Sequence, residues 1–269
     1  MSISKKEMTI SMNSLQGRLK KFSFGIFVCF LVLVGMLIVP PVVSEARAGD
    51  VWEKKQYKNW TLDDIRTIKT NSPWTKKVIK NAPWIKGAGG YLSILPVGCD
   101  GRPDYSRHDT PPPQVVSGLT PRVEYRVDWV SSRTMRYAEI QENVLCGKLD
   151  EESAEGLLDE EVDYFQIAVK SPDMKPFEDM DDEEIRTNAW LNFKNANKKI
   201  NPYEVRIQRL PGQKRILTMV FMFPKEDENG ESYLSEREKE IEFVVDAEKF
   251  DVKAKFKPSK MIGNEGPDM

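Results

Sequence analysis

The chain has 269 residues, 40% of them hydrophobic and 30% charged, enough apolar sequence to build a core and too much for a disordered polymer. A formal charge of -2 leaves no basic surplus for nucleic acid. One histidine and widely spaced cysteines argue against zinc sites of the usual His/Cys kind.

The first 48 residues read as an export signal. Arg18, Lys20 and Lys21 form a positive flank, Phe22 to Val43 is uncharged and mostly apolar, and Pro40-Pro41 interrupts the run near its end. Ala46-Arg47-Ala48 then offers a small-x-small cleavage site before Gly49. The competing reading is an uncleaved anchor, because about 20 apolar residues span a bilayer; membrane contact would then run through residues 22–43 only. Either way the positive flank keeps the N-terminus cytoplasmic and sends residues 49–269 outside, to the periplasm or beyond. Cys29 lies in the middle of the run, away from a lipoprotein position.

Four of the six tryptophans, Trp52, Trp60, Trp74 and Trp84, follow within a short stretch. Thr61 has the character of a helix N-cap, with Asp64 completing a capping box, and Trp60 and Ile65 stand at the positions of a hydrophobic staple. Leu62, Ile65 and Ile68 continue at helical spacing until Ser72-Pro73 stops the helix. The tryptophans dock this helix onto a sheet, or else form an aromatic platform for a sugar or peptide. Residues 87–120 are rich in Gly and Pro, including Pro111-Pro112-Pro113, and read as a long loop, mobile or serving as a partner-binding arm.

Val123, Tyr125, Val127 and Trp129 alternate as a strand, and a helix is expected from Ser132 to Leu145. Glu151 to Asp163 reads as an acidic connector, Tyr164 to Val169 as a strand, and Asp181 to Leu191 as a second helix. From Tyr203 to Lys257 the pattern is that of four strands in a continuous meander. Tyr203, Val205 and Ile207 alternate, Ile216 to Phe223 is almost wholly apolar, Ile241, Phe243 and Val245 alternate, and so do Phe250, Val252, Ala254 and Phe256. The expected fold is α+β: residues 49–269 form one domain with a mostly antiparallel sheet, a C-terminal four-strand meander and helices packed on one face.

Several segments together resemble a family of uncharacterised exported bacterial proteins. They are Trp52 with Trp60-Thr61-x-x-Asp64 and Asn71-Ser72-Pro73-Trp74, then Val127-Asp128-Trp129-Val130-Ser131-Ser132, Met174-Lys175-Pro176-Phe177-Glu178, Lys239-Glu240-Ile241-Glu242-Phe243 and the closing Glu265-Gly266-Pro267-Asp268-Met269. Some relatives are labelled GWxTD-domain proteins; this chain has Asn59-Trp60-Thr61-Leu62-Asp63, without that motif. The resemblance implies export and no established activity.

Candidate chemistry is sparse. His108, flanked by Asp104 and Asp109, lacks a nucleophile motif around it. Outside the cytoplasm Cys99 and Cys146 would pair as a disulfide, and otherwise remain two thiols. Glu178 to Glu184 has carboxylates enough for calcium but no turning glycine, and acids in a first helical turn serve the helix dipole equally well. Glu151, Glu152, Glu155, Asp159, Glu160 and Glu161 read as a solvated connector. No phosphate loop or dinucleotide fingerprint occurs. These features specify no catalytic residue, cofactor or metal. They favour an exported cell-envelope binding or scaffolding domain with a protein partner, against the alternative of an envelope hydrolase using His108 or loop carboxylates.

Overall fold

The computed structural model describes residues 51–86, 90–102, 120–158, 162–235, 237–264 and 266–269. The apolar run Phe22 to Val43, the cleavage residues Ala46, Ala48 and Gly49, and His108 lie outside them. Among the described residues no helix is long and apolar enough to cross a membrane.

The chain enters through a short helix α1 (Val51–Lys54) and a 3-10 turn (Tyr57–Asn59). Helix α2 (Leu62–Thr70) starts as its sequence dictates: the Thr61 hydroxyl accepts from the Asp64 amide, while the Asp64 carboxylate accepts from the Thr61 amide. Trp60 and Ile65 are both buried at this start, as the staple requires. Strands β1 (Thr75–Asn81), β2 (Tyr91–Leu92) and β3 (Arg122–Trp129) follow, then α3 (Arg133–Leu145), α4 (Glu151–Leu158) and β4 (Tyr164–Lys170). Next come α5 (Asp182–Thr187), β5 (Ala189–Phe193), β6 (Lys198–Ile200), β7 (Glu204–Arg209), β8 (Ile216–Pro224), β9 (Ile241–Ala247) and β10 (Phe250–Phe256). A final small hairpin is made of β11 (Ile262–Gly263) and β12 (Gly266–Pro267).

The fold is α+β with mostly antiparallel sheets. The first sheet runs β1-β3-β4-β8-β7, with β2 added parallel to β3; the second runs β10-β9-β5-β6. They face each other through aromatic contacts. Tyr125 meets Phe250 at 5.3 Å between ring centroids, Trp129 meets Phe256 at 5.2 Å, and Phe221 meets Phe243 at 5.3 Å. All four expected C-terminal strands form, but as two hairpins, β7-β8 in the first sheet and β9-β10 in the second. Their apolar faces meet across the core, and residues 225–240, too long for a hairpin turn, carry the chain from one sheet to the other.

Three local expectations change. Glu151 to Asp163 is helical over its first part, as α4; Asp150 caps it by accepting from the Ser153 amide at 2.8 Å. The helix expected to reach Leu191 ends at Thr187, and Ala189, Leu191 and Phe193 point into the core as alternate residues of β5. Strand β1, edge-placed and carrying Lys76, Lys77 and Lys80, has too many charges to announce itself by alternation. In the Gly/Pro-rich stretch, β2 adds two residues of regular structure, and Cys99 is bonded to Cys146 at the end of α3. Gly147, at φ 66°, supplies the left-handed residue that ends α3.

Candidate binding cleft

The described residues enclose one large cleft, open to solvent, of about 1060 Å³. Three stretches of chain build it: the α1 region with its 3-10 turn, the start of α3 with the end of α4, and the β11-β12 hairpin with the residues after it. Trp52 and Trp60 are buried in its wall. Tyr57 and Tyr137 pack with ring centroids 4.6 Å apart, and Lys58, Arg133, Arg136 and Lys225 supply charge.

Specific bonds tie these stretches together. Lys55 carbonyl oxygen accepts from Trp60 Nε1 at 3.1 Å and from Asn264 Nδ2 at 3.0 Å, joining the entry of the chain to the last hairpin. Arg136 donates to the Leu157 carbonyl at 2.8 Å, and Lys58 pairs with Glu155 of α4 at 2.7 Å. The Lys58 ammonium lies above the ordinary lysine value through its bond to Glu155.

Asp268 is the keystone of the third side. Its carboxylate accepts from the Arg133 amide at 2.5 Å and the Thr134 amide at 2.8 Å, while Ser132 Oγ takes the Met135 amide at 3.2 Å. The free amides of the α3 first turn are thus satisfied largely by a residue far along the chain, and a carboxylate there also suits the helix dipole. Asp268 also uses its backbone: its carbonyl accepts from Trp74 Nε1 at 2.7 Å and its amide donates to Met261 at 2.9 Å. Gly263 makes room for this arrangement, because a Cβ there would lie 3.0 Å from Thr134 Oγ1 and 3.3 Å from Asp268 Oδ2.

The expected site residues fall in different places. Trp52, Trp60 and Trp74 are buried in packing, with Trp52 and Trp74 edge-to-face at 5.4 Å, and only Trp84 keeps part of its ring exposed. An exposed platform of four tryptophans is therefore not what they form. In the Glu178 to Glu184 run, Asp181 caps α5 by accepting from the Glu184 amide at 2.7 Å. Asp179 pairs with Lys214, Asp182 with Arg209 and Glu183 with Arg186. Among the described residues no cluster of His, Cys, Asp or Glu is arranged to hold a metal ion. Sequence reasoning missed Asp268. Its signal was faint: an isolated acid among Gly and Pro, far from the helix that it caps.

No protein-family model, no curated protein and no solved structure matches this chain.

Proposed function

We propose that this chain is an exported cell-envelope protein that binds or scaffolds a partner without catalysing a reaction, and that the cleft beside Asp268 is the seat of that partner. The cleft carries the reading. It has the volume of a ligand site, and its walls combine aromatic rings with hydrogen-bonding and charged groups. The Cys99–Cys146 bond supports export, since disulfides persist in oxidising compartments outside the cytoplasm. The export-signal pattern of residues 1–48 and the resemblance to an exported bacterial family point the same way.

The test is photo-crosslinking in intact envelopes, with a photoreactive residue placed in the full-length chain at Gln56 in the cleft or at Lys249 in a remote turn. A discrete adduct from position 56, absent from position 249 and weakened by Lys58→Glu, is the expected result. Equal adducts from both positions, or an adduct indifferent to Lys58→Glu, would remove the cleft from the proposal. Mass spectrometry of the bait's own N-terminus separately decides between cleavage at Gly49 and an anchor through residues 22–43.

A further inference from the structure

One wall of the cleft is lightly fastened. Helix α4, which ends in the wall at Leu158, has only 8 residues, too few to persist alone, and Gly156 in its interior weakens it further. Of its residues only Ala154 is buried, and Leu157 stays 44% exposed. Besides the bond from Arg136 to the Leu157 carbonyl, the ion pair of Lys58 with Glu155 holds it to the rest of the molecule. The two side chains of that pair are 60% and 64% exposed. A pair so exposed contributes little to stability, is screened by salt, and yields readily to a competing anion.

We propose that the cleft takes an acidic peptide segment of its partner, whose carboxylate replaces Glu155 on Lys58. The inference rests on the cleft being the partner's seat and adds the chemistry of what sits there. Among the described residues Lys58, Arg133, Arg136 and Lys225 line the cleft against the side-chain acids Asp163 and Asp268. The Asp268 carboxylate is already taken by the Arg133 and Thr134 amides, which leaves the cations the larger share of the polar wall. Such a wall favours a ligand of opposite charge. The aromatic groups favour a peptide over a glycan. Trp52 and Trp60 are buried, and Tyr57 and Tyr137 spend ring surface on each other, so little flat face is offered for a sugar ring to stack on. Glu155 thus stands in for the partner's carboxylate, and the same lysine that fastens α4 receives the ligand.

The test follows the fluorescence anisotropy of a labelled hexaglutamate peptide added to the full-length chain in neutral detergent at low salt. Two variants, each checked for an unchanged melting profile, give opposite signs. Glu155→Gln vacates Lys58 and is expected to tighten binding several-fold; Lys58→Gln is expected to weaken it several-fold. Glu248→Gln and Lys249→Gln make the same charge changes in the exposed turn between β9 and β10 and should leave the affinity as it was. Equal effects from the remote pair, no effect from Glu155→Gln, or tighter binding of hexagalacturonate than of hexaglutamate overturns the proposal. In opened envelopes, excess hexaglutamate should suppress the photo-adduct from position 56. An adduct that forms but resists the peptide overturns the acidic partner and keeps the cleft. Absence of any adduct, with Lys58-dependent peptide binding intact, removes the envelope partner and keeps the acidic-peptide site.

Discussion

Strand β3 presents two faces, and both are covered. On one lie Val123, Tyr125, Val127 and Trp129, packed against the second sheet; on the other lie Glu124, which accepts from the Tyr91 hydroxyl, and the ion pair of Arg126 with Asp128. Trp129 is 0% exposed and Asp128 only 2%. Alternation of apolar and charged residues ordinarily marks a sheet with one wet face. Here the polar face is closed as well, and Asp128 is held there by Arg126 and by the Thr75 hydroxyl. The apolar face tolerates imprecision because dispersion is non-directional, whereas the charged face does not, because an unpaired buried ion is costly.

Four substitutions probe this contrast. Trp129→Ala, which empties a large site between Phe165 and Phe256, is expected to lower unfolding free energy by about 4 kcal/mol in a denaturant titration. A loss below about 1 kcal/mol would mean that the inner face is not the core. Asp128→Ala should cost about 3 kcal/mol, because it strips Arg126 of its partner in a buried setting. The paired change Arg126→Met with Asp128→Leu should recover most of that loss, since an apolar pair needs no compensation. If the double variant is as unstable as the single, the ion pair itself supplies the stability and the contrast between the faces fails.

Asp268→Ala removes the cap of α3 and should cost about 1 kcal/mol. Hydrogen exchange should quicken at the Arg133 and Thr134 amides and stay unchanged along β8. The smallest effect concerns acid. Burial raises the Glu139 carboxyl, but Lys69 outweighs it and holds the group below its ordinary value of 4.5. A depressed carboxylate contributes stability that is present above 4.5 and lost as pH falls through the lower folded value. Wild type should therefore exceed Lys69→Met by about 0.5 kcal/mol at neutral pH, in line with the exposure of Glu139, and the gap should close on acidification. A gap that persists in strong acid would assign the effect of Lys69 to packing alone.

Much of the apolar face could be read from the chain. Alternation in Val123 to Trp129 and in Phe250 to Phe256 identified the inward residues, and Thr61 with Asp64 announced α2. The division of the last four strands between two sheets could not be read, because alternation says which side of a strand is apolar and not which strand lies beside it. Strand β5 was hidden because Leu191 also continues a helical pattern from α5, and α4 because Gly156 and its acids mask a weak apolar stripe. The cleft was the least legible part. Its walls come from three distant stretches, and the residue that joins them acts through a side chain, a carbonyl and an amide at once.

That residue sets an order of events. A chain made from its N-terminus releases Trp74 and the start of α3 long before Asp268, which lies 194 residues beyond the first and 135 beyond Arg133. Until it arrives, the Trp74 N–H lacks its acceptor and two amides of α3 lack theirs. The helix can form early, but it is fastened late. A chain cut short before Asp268 would keep most of its core and lose both the acceptor of Trp74 and the cap of α3.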